Sequence, residues 1–183
     1  MTIQQALDLI SPAALYFQPD QTRTVGAITR QWADLGCGSG LFTTALAQVL
    51  PEGSTVYGVD TNPTVRRQDS SSDRPASIIP IRADFVKDPL ELPKLHGILM
   101  ANSLHYVKDK PALIKKLRSY MQEESLFLIV EYDTDKPVPT WVPYPISYDS
   151  LTRLFKDYTT QKLGQRPSAY GRANMYAALV RPR

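Results

Sequence analysis

The sequence predicts an α/β fold: a doubly wound, mostly parallel sheet of seven strands that ends in an antiparallel C-terminal hairpin. Three observations predict it. Seven short β-branched or apolar runs punctuate the 183 residues. Helical patterns stand between the early runs, and strands that alternate with helices argue for a parallel sheet. The last two runs, 158–163 and 176–180, have only a loop at 164–173 between them, so they pair antiparallel, because a parallel return needs a crossover.

Taken in order, residues 2–17 read as an amphipathic helix that ends at Ser11-Pro12, with Tyr16 and Phe17 after it. The first strand, 31–35, runs into Asp34-Leu35-Gly36-Cys37-Gly38-Ser39-Gly40 and directly into a helix at 40–50. That helix puts Leu41, Ala45, Leu46 and Val49 on one face, and Pro51 ends it. The second strand, 55–59, leads to Asp60, and the Ser- and Pro-rich stretch that follows predicts a stunted second helix. The third strand, 78–82, leads to Asp84-Phe85, and the fourth covers 96–101. A helix over 109–121 has Asp109 as its cap and Pro111 in its first turn, and it spaces Leu113, Ile114, Leu117 and Met121 helically. The fifth strand, 126–131, and a short helix at 147–156 precede the terminal hairpin.

Composition narrows the class. A chain this long buries roughly 70% of its unfolded surface and needs no disulfide or metal to fold. No metal site is expected, and the single cysteine, Cys37, fits a reducing compartment. The start, MTIQQALDLI, shows no basic region followed by a long apolar run, and no stretch approaches 18 consecutive apolar residues. A cytoplasmic protein without a membrane partner is therefore expected. Residues 1–105 carry 8 Lys/Arg against 10 Asp/Glu, and residues 106–183 carry 13 against 8. A basic half suits an anionic substrate or RNA, but solvated helix faces such as that of Lys115, Lys116 and Arg118 account for it more simply.

A strand, a glycine turn and a helix together hold a nucleotide-like or carboxylate-bearing ligand. Glycines let the backbone come close, and the helix start offers free N–H groups. A dinucleotide fingerprint counted from Gly36 requires glycine at position 41, where Leu41 stands. Asp34 ahead of the turn would also repel a pyrophosphate. Asp60 is placed to accept hydrogen bonds from both ribose hydroxyls of an adenosine ligand. Asp84 beside Phe85 suits an adenine ring. Each acid alone reads equally well as a turn or cap residue. Three at the ends of successive strands, together with the glycine turn, form a set.

With Tyr57-Gly58-Val59-Asp60, Arg82-Ala83-Asp84-Phe85 and Asn102-Ser103-Leu104-His105-Tyr106-Val107, the glycine turn resembles the class I S-adenosylmethionine-dependent methyltransferases. Within them the chain is most similar to the small-molecule, type 11-like group. The resemblance covers about residues 30–131. It implies a Rossmann-like sheet with a reversed last hairpin, and S-adenosylmethionine as cofactor. By the same resemblance Gly36, Cys37, Gly38 and Gly40 line the methionine portion, Asp34 sits near its amino group, and Asp60 with Thr61 holds the ribose. Asp84 and Phe85 hold the adenine, and Asn102 faces the methionine portion and the substrate. The chain departs from the family at Leu95-His96-Gly97, where Phe-Asp is usual, and at Gln122-Glu123-Glu124-Ser125, where Pro-Gly-Gly is usual.

The implied organisation is one domain: an N-terminal helical cap (1–29) over the cofactor, a cofactor-binding core (30–131), and a substrate-side loop, helix and hairpin (132–183). Since the cofactor carries an activated methyl group, the protein mainly binds, aligns and excludes water. His105, just past the fourth strand, is the candidate base, because an ordinary imidazole titrates at about 6.5. His96, at the far end of that strand, is expected to be structural. Tyr106, Trp141 and Tyr144 are candidate walls of an apolar substrate pocket. Arg172, with Arg166, Ser168, Tyr170 and Asn174 near the last turn, suits recognition of an anionic group on the substrate, though an exposed polar turn accounts for the cluster more simply. The expected function is methyl transfer to a small molecule, and nucleic acid is the disfavoured partner. An RNA or protein methyltransferase that uses the basic half, and a non-catalytic protein that retains the fold, stay open as alternatives. The oligomeric state is not legible in the pattern.

Overall fold

The computed structural model describes residues 1–17, 29–168 and 173–183. Thr2 opens α1 (Ile3–Ile10) through a reciprocal cap: its hydroxyl accepts from the Gln5 N–H, and the Gln5 side chain accepts from the Thr2 N–H. Pro12 lacks the N–H that a longer α-helix would need, and Ser11–Tyr16 continues as a 3-10 segment. There follow β1 (Gln31–Leu35), α2 (Leu41–Val49), β2 (Thr55–Asp60), β3 (Ser77–Arg82) and β4 (Leu95–Ala101). A 3-10 turn (Leu104–Tyr106), α3 (Lys110–Arg118), β5 (Met121–Tyr132), α4 (Tyr148–Leu154), β6 (Tyr158–Pro167) and β7 (Asn174–Pro182) complete the order.

The seven strands form one sheet in the order β3-β2-β1-β4-β5-β7-β6. The first five pair parallel, and β7 lies antiparallel to both β5 and β6. Strand order reverses between β1 and β4, and the carboxyl ends of these two strands are where such sheets open a crevice for ligands. The central strands are buried almost continuously, as a sheet covered on both faces requires, and successive residues serve opposite faces. Trp32, Leu99, Leu128, Val130, Ala177 and Leu179 share one core with α1 and α2, while Ala33, Ile98, Met100, Phe127, Ile129 and Ala178 share the other with α3 and α4.

Several expected elements shift. The helix expected over 109–121 is capped by the Asp109 carboxylate, which accepts from the Ala112 N–H, but it stops at Arg118. Met121 instead starts β5 opposite Leu95, and the register then jumps from Leu95↔Met121 to Gly97↔Leu126. Gln122, Glu123 and Glu124 are the exposed residues of this irregular stretch, so the departure from Pro-Gly-Gly becomes strand. No helix forms among residues 61–76, as the stunted helix anticipated; a bridge between Gln68 and Ile78 takes its place. At Leu95-His96-Gly97 the departure from Phe-Asp has a packing reason. Gly97 faces Trp32, and a Cβ there would stand 2.3 Å from the indole.

Residues 1–17 of the N-terminal segment pack at the side of the sheet. α1 packs against α2 and β6, the Tyr16 hydroxyl donates to Gln161, and the Arg30 guanidinium donates to the Phe17 carbonyl. The cap assigned to 1–29 is therefore a lateral buttress over residues 1–17, and residues 18–28 lie outside the described part. Among the described residues no helix is long and apolar enough to cross a membrane.

Candidate functional site

The turn after β1 is built by residues that tolerate left-handed backbone. Gly36 sits at φ +79°, and its N–H donates to the Val59 carbonyl at 2.8 Å, which folds the turn onto the end of β2. A Cβ on Gly36 would meet that of Ser103 at 2.5 Å, so the residue gives backbone access where a side chain has no room. Gly40, at φ +82°, is the N-cap of α2 and lies so close to Val65 that a Cβ would come within 2.4 Å. Between them the Gly38 N–H donates to the Asp60 carboxylate at 3.0 Å, and the other Asp60 oxygen accepts from Asn62 at 2.9 Å. Asp60 thus braces the turn from β2 while still presenting unused lone pairs.

Asp34 is buried below this turn. The Thr43 hydroxyl of α2 donates to its Oδ2 at 2.6 Å, and its Oδ1 is buried with no hydrogen-bond partner. Burial pushes its pKa up to about 7, against the Thr43 bond and with a smaller push from the Asp60 charge. Cys37 packs under Gly58, and burial, with the charges of Asp34 and Asp60, raises its thiol to about 12. A thiol so reluctant to ionise is a packing group.

Two cavities open along the carboxyl ends of the strands. The first, of about 390 Å³, is lined by Gly36, Asp60, Thr61, Asp84, Phe85, Val86, Lys87, Asn102, Ser103, Tyr106 and Val107. The second, of about 460 Å³, is lined by Asn102, His105, Tyr106, Tyr132, Thr134, Val138, Trp141, Val142, Ser168 and Ala173. They share Asn102 and Tyr106. Asn102 holds the left-handed φ of 55°, which asparagine tolerates better than most residues, and its Oδ1 is a second buried acceptor without a partner. The neighbouring Ser103 hydroxyl donates to the Leu35 carbonyl at 2.6 Å and ties the β4 exit to the glycine turn.

Asp84 shapes the turn it begins. Its Oδ1 accepts from the Val86 and Lys87 N–H groups, and Oδ2 pairs with the Lys87 ammonium at 3.2 Å. Partial burial pushes its pKa up, but the Lys87 side chain and these N–H donors outweigh it and hold the carboxyl below its usual range.

His105 is buried at the wall of the larger cavity, and its partner, Glu131, was not among the expected site residues. The Glu131 carboxylate, at the end of β5 and also buried, sits 2.7 Å from His105 Nδ1 through Oε2 and accepts from the His105 backbone N–H at 3.1 Å through Oε1. Both carboxylate oxygens are spent on one residue, which fixes the ring and leaves Nε2 as its free nitrogen. Glu131 obeys the same rule as Asp34, Asp60 and Asp84, an acid at a strand's carboxyl end, and that pattern could have found it. Lys110 was also unforeseen: its ammonium donates to the Val107 carbonyl at 2.9 Å and to the Tyr144 carbonyl at 2.6 Å. Burial lowers its pKa, while Glu131 and Asp135 act the other way.

Of the expected wall residues, Trp141 and Tyr106 line the cavity, and Tyr144 does not. Tyr144 contributes backbone: its N–H donates to the His105 carbonyl at 2.9 Å and its carbonyl receives Lys110, so it latches the loop onto the His105 turn. Ser168 lines the cavity, whereas Tyr170 and Arg172 lie outside the described residues. His96, as expected, sits at the opposite edge, where its Nδ1 accepts from the Gln31 N–H.

A doubly wound sheet with a reversed terminal hairpin, opening two joined cavities at its strand-order switch, is the architecture of the class I methyltransferases. The chain belongs to the methyltransferase domain family, whose match covers residues 4–176. No curated protein matches its sequence. Among solved structures, it is similar to the plantazolicin methyltransferase BpumL in complex with a monoazolic desmethylPZN analogue and SAH. That match has 14% identity and a TM-score of 0.68, and covers 99% of this chain and 85% of that one. It is similar also to magnesium protoporphyrin IX methyltransferase from Synechocystis PCC 6803 with bound SAM, at 15% identity and TM-score 0.65, over 98% of this chain and 79% of that one. A third match is a SAM-dependent methyltransferase from Methanosarcina mazei, at 13% identity and TM-score 0.60, over 93% and 97%. At these identities the likeness establishes the fold.

Proposed function

We propose that the chain transfers a methyl group from S-adenosylmethionine to a small-molecule acceptor. The observation that carries this is the joining of the two cavities at Asn102 and Tyr106, one beside the glycine turn and the other beside His105. The residues present fit the cofactor. Asp34 Oδ1 and Asn102 Oδ1 are buried acceptors without donors, on neighbouring strands, and an α-ammonium supplies donors. Family membership and the SAM- or SAH-bound neighbours support the same choice.

When bound, the cofactor supplies a methyl group already activated on a sulfonium. Gly36 and Gly38 leave room for its methionine portion, with Gly40 and Cys37 shaping the turn behind them. Asp60 and Thr61 hold the ribose, and Asp84 and Phe85 hold the adenine, with Asp84 Oδ2, which also pairs with Lys87, accepting from the ring's amino group. His105 takes the acceptor's proton at Nε2, and Glu131 orients the ring and stabilises the imidazolium that forms. Trp141 and Tyr106 wall the acceptor, with Arg172 assigned beside them from the sequence.

Thermal unfolding with saturating S-adenosylmethionine, S-adenosylhomocysteine or NAD tests the cofactor. At a hundredfold excess over its dissociation constant a ligand stabilises by about 2.7 kcal/mol, or roughly 5–11 °C in a domain of this size. Both adenosyl compounds should raise Tm and NAD should not. Folded protein that responds to neither adenosyl compound would remove the reading.

A further inference from the structure

We propose that the cavity beside His105 takes an aromatic hydroxyl acceptor of the phenol class, methylated on oxygen. This rests on methyl transfer from the adjoining cleft. The walls set the shape: Tyr106, Tyr132, Val138, Trp141 and Val142 supply half of the lining residues, in a volume within the ordinary range for small-molecule sites. Trp141 is 71% exposed and Tyr106 55% exposed, so two aromatic side chains at this cavity are open to solvent, where a flat ring can cover them.

The reacting end sets the atom. An amine acceptor enters as an ammonium and is favoured by an open carboxylate beside it, but Glu131 is buried and both its oxygens already lie within bonding distance of His105. A carboxylate acceptor needs a cation there; among the described residues the nearby Lys110 ammonium is committed to the Val107 and Tyr144 carbonyls, which leaves only Arg172, outside the described residues, and 2-naphthoate is the probe that tests for it. The cavity offers the acceptor the Asn102 amide, which also lines the adjoining cavity, and the His105 imidazole, both suited to a neutral group that gives up a proton. A phenol, with a pKa of about 10, yields its proton to an imidazole far more readily than an aliphatic alcohol does.

In the step, the phenol oxygen forms a bond to the methyl carbon as the S–CH3 bond of S-adenosylmethionine breaks, and that electron pair stays on sulfur. The phenol proton passes to His105 Nε2 and then to water. The products are an aryl methyl ether, S-adenosylhomocysteine and one proton.

Four probes on one ring frame test this: 2-naphthol, 2-naphthylmethanol, 2-naphthylmethylamine and 2-naphthoate. Each is offered to the full chain with S-adenosylmethionine, after calorimetry has established whether S-adenosylhomocysteine binds. Naphthol should exceed the other three by about 10²-fold in kcat/KM. His105→Asn should lower kcat for naphthol by about 10²-fold with S-adenosylhomocysteine affinity unchanged, and Trp141→Ala should raise KM. Preference for the amine or the carboxylate overturns the proposal. So does methylation of none of the four by protein that binds S-adenosylhomocysteine, and this outcome leaves the cofactor reading standing. Failure to bind S-adenosylhomocysteine overturns both.

Discussion

Replacing Asp34 by Asn should make the ligand-free protein more stable at neutral and alkaline pH while weakening its hold on the cofactor. Burial raises the Asp34 carboxyl from 3.8 to about 7, so between those values the folded state keeps a proton that the unfolded chain releases. Stability is then lost as pH rises, because the unfolded state binds fewer protons. A rise of that size corresponds to about 4 kcal/mol once both states are ionised. The wild type should therefore lose this much relative to Asp34→Asn between about pH 4 and pH 8, with the difference levelling off above pH 7. Urea unfolding of both proteins at half-unit pH intervals measures it. Taking the difference cancels His96, whose pKa is lowered by burial and by Arg30 and which therefore acts in the opposite direction. In the same window, wild-type affinity for S-adenosylhomocysteine should increase with pH, because an ionised Asp34 attracts the ammonium, and the variant's should stay flat. Parallel stability curves for the two proteins would refute the assignment of a buried, reluctant carboxylate.

Glu131→Gln keeps an acceptor for His105 but removes the charge that stabilises the imidazolium, so kcat should fall by about 10²-fold with S-adenosylhomocysteine affinity unchanged; steady-state kinetics and calorimetry separate the two. Gly97→Ala drives a Cβ into the Trp32 indole and should cost about 1–3 kcal/mol of stability in urea unfolding. Trp32→Phe in the same chain should return much of that loss. Gly36→Ala strains a residue at φ +79° and pushes on Ser103, so cofactor affinity should fall along with stability.

The parts of the fold legible in the sequence were those set by local chemistry. Asp109 with Pro111 marked the start of α3, Pro51 marked the end of α2, and the bare loop before 174 forced an antiparallel β6–β7 pair. The end of α3 was not legible, because Met121 satisfies a helical period equally well and only its pairing with Leu95 makes it strand. Residues 1–17 carried an apolar face without an address, and tertiary contact with α2 and β6 supplied it. At the site, Asp60, Asp84 and Asn102 were visible because strand ends bring ligand-facing residues together. The bond between Glu131 and His105 spans 26 residues and depends on β4 and β5 lying side by side, which periodicity does not encode. Tyr144 looked like a pocket wall because aromatics in proline-rich loops often are, yet its backbone is what the fold uses.

The most direct measurement is calorimetric titration of S-adenosylhomocysteine into the wild type and into Asp60→Ala. A methyl-transfer cleft beside the glycine turn requires one site per wild-type chain. Binding should weaken by at least tenfold in the variant, since Asp60 braces the Gly38 N–H and is the residue proposed to hold the ribose. Absence of binding in folded wild-type protein, or equal affinity in both proteins, would contradict it.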